Sequence, residues 1–418
     1  MANTVQHRMS TAKINIVDEN GQRVSGKEAA FKLDSHEFLF GCGGFDALIA
    51  SNDIPPKMDE FFKSKGIDAK PFYTDRVNKW MEVFNYTTLP FYWGQYEPQE
   101  GNIQFENRMN AVNTFVEKGV KVKGHPLCWH TVCADWLMQY DNKTIMEKQL
   151  ARIDRDVTAF KGKVDIWDVI NETVIMPEYD RYDNAVTRIC KEYGRTTLIK
   201  EVFAAARNAN PNATLLINDF NLSEKYREVI SECLDAGVQI DAIGIQTHQH
   251  QGYRGMDWLN DILKRFSEFG LPLHFTENTL VSGDIMPAHI VDLNDWQPKE
   301  WPSTPEGEER QCREWEEMTV RLFEEPLVEA ITGWDFADGA WLNAPSGIIR
   351  RDNTLKPSYF KLKELAHERW DTNEKLMTDA QGSAALTGYR GRYTVKVGDK
   401  TGSFVLDKNS NEITVVIK

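Results

Sequence analysis

The chain has 418 residues, 41% of them hydrophobic and 27% charged, with a formal net charge of −14. That is the make-up of a soluble globular protein, too long for one small domain and suited to a single barrel of roughly 250–350 residues with additions. The negative charge disfavours phosphate backbones and anionic membranes, and no stretch nears the ~20 apolar residues of a membrane span, so a neutral substrate fits best.

The opening residues, Met1 to His7, lack the basic and apolar regions of a leader peptide. The protein is therefore expected to be cytoplasmic, or secreted with its leader removed. The first element expected is a hairpin. Ala12-Lys13-Ile14-Asn15-Ile16-Val17 alternates and then turns at Asn20-Gly21, a strong hairpin signal. Residues 1–33 are read as an N-terminal β-hairpin extension.

Eight apolar runs of strand length follow: Phe38–Cys42, Thr87–Tyr92, Val120–Gly124, Val164–Ile170, Thr214–Ile217, Ala242–Gln246, Leu271–Thr276 and Ala330–Phe336. Between them lie stretches of helical period: Asp75–Phe84, Phe105–Lys118, Thr144–Phe160, Thr196–Asn208, Glu224–Ala236, Asp257–Phe269 and Glu308–Phe323. Gly119, Pro211, Gly237, Gly270 and Pro326 mark exits from these helices. Strands that alternate with helices imply a parallel sheet, because parallel neighbours need a crossover. Eight such units closed on themselves make a (β/α)8 TIM barrel, placed at residues 34–370. An open doubly wound sheet would carry a glycine-rich phosphate turn. Phe40-Gly41-Cys42-Gly43-Gly44-Phe45 has no GxGxxG spacing and reads as a tight turn at the barrel mouth.

After Trp370 the pattern changes to short alternating runs at Gly391–Val397, Gly402–Leu406 and Glu412–Ile417. Residues 371–418 are read as a small antiparallel C-terminal β module, with pairing to the N-terminal hairpin as an option. Its aromatics, Tyr389, Tyr393 and Phe404, are few for a sugar-binding surface, which favours a structural appendage. Cys42, Cys128, Cys133, Cys190, Cys233 and Cys312 are scattered, mostly in apolar runs, as reduced core thiols are. Cys128 and Cys133 stand beside His125 and His130, but no second ligand pair has zinc-site spacing. No metal and no cofactor is expected.

The polar and aromatic residues that strand cores exclude fall at C-terminal strand ends. They are Gly124-His125-Pro126-Leu127-Cys128-Trp129-His130, Asn171-Glu172, Asn218-Asp219-Phe220-Asn221, Gln246-Thr247-His248, Glu277 and Trp334-Asp335. One strand-end His or Asn is ordinarily a loop cap. Six such ends on one face of a barrel point to an active site. Trp129, Trp334 and Trp341 suit the flat faces of sugars, and Asn, Gln and His suit the hydroxyl rim. Glu172 and Glu277, on two parallel strands, supply the carboxylate pair that glycoside cleavage needs.

Taken together, Trp167-Asp168-Val169-Ile170-Asn171-Glu172, Gly124-His125-x-Leu127-x-Trp129-His130, Asn218-Asp219-x-Asn221, Gln246-x-His248 and Thr276-Glu277 resemble glycoside hydrolase family 10, the retaining endo-β-1,4-xylanases. The resemblance covers about residues 36 to 365. It implies Glu172 as acid/base, Glu277 as nucleophile and Asn171 as the holder of the reacting sugar's 2-hydroxyl. His125, Trp129, Gln246, His248 and Trp334 would line that subsite. It also implies double displacement with retention, the carboxyls ~5–5.5 Å apart, and a raised Glu172 pKa because Glu277 is charged nearby. The partner implied is a neutral oligo- or polysaccharide.

Three departures bear on what is cut. The family's Glu-Asn-x-Met-Lys-Trp is here Thr88-Leu89-Pro90-Phe91-Tyr92-Trp93, so Leu89 and Tyr92 replace an Asn and a Lys that would bond a second sugar. Each lost bond to a buried group costs roughly 1–3 kcal/mol. The usual Glu-Leu-Asp is here Glu277-Asn278-Thr279, and the charge that would orient His248 is gone. The loop from Val281 to Pro305 is long and carries Trp296 and Trp301, while the stretch from Asp335 to Trp341 is one residue short. These changes leave three readings: a xylanase; the same machinery turned to a short, decorated or aglycone-bearing β-glycoside, with Leu89, Phe91 and Tyr92 lining its site; or a non-catalytic sugar-binding barrel. The stretch Thr173–Glu192, with Tyr179, Asp180, Arg181 and Tyr182, is expected to be a solvated loop, with a wall on the leaving-group side as a second reading.

Overall fold

The computed structural model describes residues 5–418; Met1 to Thr4 of the expected N-terminal extension lie outside the described residues. Eight strands form one parallel, closed barrel. In chain order they are β1 (Leu39–Gly43), β2 (Tyr86–Pro90), β3 (Lys121–His125), β4 (Val164–Asn171), β5 (Thr214–Asp219), β6 (Ala242–Ile245), β7 (Leu273–Leu280) and β8 (Val328–Gly333). Each pairs with the next, and β8 returns to β1. Because helices cover the outside, β1, β2 and β7 are buried along their whole length. Burial on both faces removes the apolar–polar alternation of a half-exposed strand, and the polar residues that β2 and β7 carry, Thr87, Thr88, His274, Thr276, Glu277, Asn278 and Thr279, are buried as well.

The helices between the strands sit close to where the 3.6-residue period puts them. Asn142–Phe160 and Glu224–Asp235 are examples, and each begins at a side-chain cap: Asp141 accepts from the Thr144 N–H, and Ser223 from the Lys225 N–H. Between the barrel and its covering helices, close approach sets residue size. The Trp167 ring lies over Gly124, where a Cβ would come within 2.1 Å of it. Trp167 is fully buried, and its truncation to alanine would cost about 3–5 kcal/mol.

The expected N-terminal hairpin closes only at its tip, where Val17 bridges antiparallel to Arg23 and the Val24 N–H donates to the Ile16 carbonyl at 3.0 Å. The chain turns at residues 18–22, but the strands on either side join different sheets. Met9–Val17 lies between Ser383–Tyr389 and Glu412–Val416, and its pairing with the latter is parallel. Glu28–His36 lies between Asn373–Met377 and Gly391–Val397, which pairs on with Lys400–Leu406. Both chain ends therefore share two sheets, and alternate residues such as Ile14, Ile16, Phe31, Leu386, Val395 and Leu406 enter the common core. Arg8 fixes this unit to the barrel through bonds to the carbonyls of Phe323, Glu325 and Val328. All six cysteines are free thiols, five of them buried. Among the described residues no helix is long and apolar enough to cross a membrane.

Candidate active site

β4 ends at Asn171, and the next residue leaves the strand sharply. Glu172 has a left-handed backbone, φ +58, which costs a residue with a Cβ about 1–2 kcal/mol. A bond from its N–H to the Asn218 carbonyl, 2.8 Å, holds the turn. The Trp129 indole donates to Glu172 Oε2 at 2.9 Å, and His130 Nε2 lies 3.8 Å from the same oxygen. Burial lifts the Glu172 pKa well above the usual carboxylate range. The Trp129 bond opposes this shift, and the charges of Glu277, Asp219 and Asp292 add to it. The expected direction holds, but desolvation is the larger cause and the neighbouring carboxylate the smaller.

Glu277 sits inside β7, 4% exposed. Asn218 Nδ2 donates to its Oε1 at 2.8 Å, and His248 Nε2 lies 3.1 Å from its Oε2. Burial opposes ionisation here too. The charge of His125, the His248 bond and Lys123 outweigh it and hold the Glu277 pKa below the ordinary value. Their surroundings thus shift the two carboxyls in opposite directions.

Around this pair the remaining polar groups interlock. Asn171 Oδ1 accepts from Asn218 Nδ2 at 2.8 Å and from Gln246 Nε2 at 2.9 Å. Asn171 Nδ2 is left with no protein partner. Asn218 Oδ1 accepts from the Thr276 hydroxyl at 2.7 Å. A Cβ at Gly244 would fall 2.3 Å from Asn218 Oδ1, so β6 must carry glycine there. His125 Nδ1 is 2.7 Å from Asp168 Oδ2, and Lys123 Nζ lies 2.6 Å from the same oxygen. An aromatic wall stands beside them. The Tyr92 ring is 5.6 Å from Trp129 and 5.7 Å from His125, His125 is 5.3 Å from Trp334, and His248 is 4.6 Å from Trp341. The ten residues singled out in the sequence, Glu172, Glu277, His125, Trp129, Asn171, Gln246, His248, Trp334, Tyr92 and Trp341, therefore gather at one mouth.

The profile of Glycosyl hydrolase family 10 matches residues 83–365. The chain belongs to glycosyl hydrolase family 10. It is 27% identical to endo-1,4-beta-xylanase B of Thermotoga neapolitana over 318 residues, 70% of this chain and 85% of that one. It is 29% identical to a beta-1,4-xylanase of Dictyoglomus thermophilum over 267 residues, 60% and 70% of the two chains. Among solved structures, xylanase 10B of Thermotoga maritima superposes with TM-score 0.61 at 23% identity, covering 80% of this chain and 96% of that one. A family 10 protein of Paenibacillus barcinonensis gives 0.62 at 21%, covering 79% and 95%. These structures share the barrel fold.

Within this family 10 glycoside hydrolase the departures take physical form. Leu89 and Phe91 are wholly buried, and Phe91 packs on Tyr96, Phe160 and Trp167. The expectation that both line the cleft is corrected: their side chains are core, and only Tyr92 joins the wall. Thr279 Oγ1 accepts from the Gln249 N–H at 3.1 Å and lies 3.5 Å from His248 Nδ1 and 3.2 Å from His250 Nδ1. The long loop after β7 packs Trp301 and Met286 with Leu342, and Trp296 and Trp341 lie against that cluster. It buttresses the wall from behind. Thr173–Glu192 is not all loop, since Ala185–Tyr193 is a helix capped by Asn184.

Sequence reasoning passed over Lys123 and His250, and it quoted Asp168 and Asn218 within motifs without giving either a role. Lys123 and Asp168 left a signal shared with their neighbours: Lys121 and Asp165 are charges in the same runs, and only the structure shows that Lys123 and Asp168 are the fully buried ones that need a partner. His250 left none.

Proposed function

We propose that this glycoside hydrolase cleaves β-1,4-linked xylan or xylo-oligosaccharides by double displacement, with Glu172 as acid/base and Glu277 as nucleophile. The observation that carries the reading is the opposite setting of the two carboxyls by their surroundings. Trp129 occupies Glu172 Oε2 as a donor, so Oε1 carries the proton that goes to the glycosidic oxygen. As that bond breaks, Glu277 forms an ester with the anomeric carbon. Loss of the Glu277 charge then lowers the Glu172 pKa. Glu172 takes a proton from water, the water attacks the same carbon, and Glu277 is released. The unpartnered Asn171 Nδ2 donates to the 2-hydroxyl of the reacting sugar, and Trp334 and Trp129 wall its subsite.

Time-resolved proton NMR of xylo-oligosaccharide hydrolysis is expected to show the β anomer of the new reducing end first. First appearance of the α anomer, or no hydrolysis of any β-xyloside, refutes the assignment, and the latter outcome returns the protein to a sugar-binding barrel. Tyr92, placed where the related xylanases would have a lysine, favours a second reading: the same chemistry on a short, decorated or aglycone-bearing β-glycoside. Fast mid-chain cutting of undecorated xylan would exclude it.

The pH profile follows from the same roles. Glu277 must be ionised, so kcat/KM falls on the acid side only as pH drops through its lowered pKa. Glu172 must be protonated, so kcat/KM falls on the alkaline side as pH rises through its raised pKa. The active window is expected to reach well above the ordinary carboxylate range, and Glu172→Gln should remove the alkaline limb. An alkaline limb that begins near the usual glutamate value would contradict the assignment.

A further inference from the structure

We propose that Arg181 fences the leaving-group side of the cleft, restricting the aglycone to one sugar ring or an aromatic group. The proposal rests on the reading of Glu172 as the acid. Tyr92, His125, Trp129, Trp334 and Trp341 follow β2, β3 and β8 or end β3. The arc opposite them is β5 and β6, flanked by β4 and β7. Arg181, in the loop after β4, pairs through its two terminal nitrogens with Asp292 and Asp295, in the loop after β7. Two loops from opposite flanks thus meet over that arc.

The bridge lies on the acid's side of the site. His130 Nε2 is 3.8 Å from Glu172 Oε2, the His130 ring is 4.4 Å from Tyr179, and Tyr179 is 5.2 Å from Tyr182. Arg181 stands between those two tyrosines in the chain. Asp292 is close enough for its charge to act on Glu172. A leaving group protonated by Glu172 departs away from the Trp334 wall and into this corner. There it meets the faces of Tyr179 and Tyr182, and beyond them the ion cluster. A single ring can stack on a tyrosine face, whereas a polymer running onward must part Arg181 from its aspartates. The three charged groups are 46%, 41% and 58% exposed. Such a pairing is screened by salt and opens readily, so it discriminates without sealing the site.

The test compares kcat/KM for an aryl β-xylobioside and for xylohexaose, in wild type, Arg181→Ala and an Asp292→Asn/Asp295→Asn double variant, at low and high salt. Opening the fence is expected to raise the hexaose-to-aryl ratio about tenfold, with the aryl rate held within about twofold. High salt should raise the ratio in wild type and leave it unchanged in both variants. Retained aryl hydrolysis shows that the variants are folded. An equal ratio in all three proteins at both salt levels overturns the fence and leaves the catalytic reading intact. A wild type that cannot cleave the aryl xylobioside overturns the proposed function, and the fence with it.

Discussion

Replacing Glu277 with alanine is expected to lower kcat on every β-xyloside by roughly 10⁴–10⁶-fold, with little change in KM. The loss should not depend on the leaving group, because the missing bond is the one to the anomeric carbon. Asn218 and His248 would each lose an acceptor, and an unpaired buried donor costs about 1–3 kcal/mol. Glu277→Gln keeps the shape and an acceptor oxygen, so an equal loss there separates chemistry from folding. The groups that lower the Glu277 pKa, His125, His248 and Lys123, remain in the alanine variant beside a vacated space. Azide should enter that space and attack the anomeric carbon from the nucleophile's side. The expected product is the α-glycosyl azide, identified by NMR. Residual activity within tenfold of wild type, or a β-configured azide, would assign the nucleophile elsewhere.

Glu172→Ala should divide substrates by their leaving groups. Sugar alcohols depart only when protonated, so xylo-oligosaccharides are expected to slow by roughly 10²–10⁴-fold. A dinitrophenyl xyloside leaves unaided, so its first step should survive. Its second step lacks a base, and a burst of dinitrophenol followed by slow turnover is expected in stopped-flow absorbance. Azide now meets the glycosyl–Glu277 ester from the acid's side, giving the β-glycosyl azide. Opposite azide anomers from the two variants would tie each glutamate to its own face of the sugar. A uniform loss across leaving groups would remove Glu172 from the acid role.

The barrel was legible in the sequence because fully buried parallel strands appear as apolar runs and their covering helices as 3.6-residue stripes. The glutamate pair was legible because a carboxylate ending such a run has no structural reason to be there. The helix Pro56–Ser64 escaped because it buries no residue, so no inward stripe marks it. Glu28–His36 escaped because Ala29 and Ala30 dilute its alternation. Asn20-Gly21 promised a hairpin by a local rule, yet strand partners are chosen by burial across the whole chain. Pairing between the two chain ends was one option the sequence offered, but nothing near residue 14 sets it opposite residue 413. The environment of Leu89 was misjudged for a related reason. A motif match places a residue on a strand, but it does not say what the neighbouring strands leave open.

The Arg181 bridge and the Thr279–His250 contact were out of reach for a similar reason. Each depends on loops that come together only after the barrel closes.

The pairing of Met9–Val17 with Glu412–Val416 has a consequence for biosynthesis. A ribosome adds about 5–20 residues each second, so the earliest strand waits some tens of seconds for that partner. During the wait its ladder groups are open to any other chain, and the intervening barrel has time to close first. Lys13, exposed on this strand and paired with Glu412 in the finished protein, is the type of side chain that keeps an unfilled edge from joining its copies. The terminal sheets can therefore be completed only after every strand of the barrel has been synthesised.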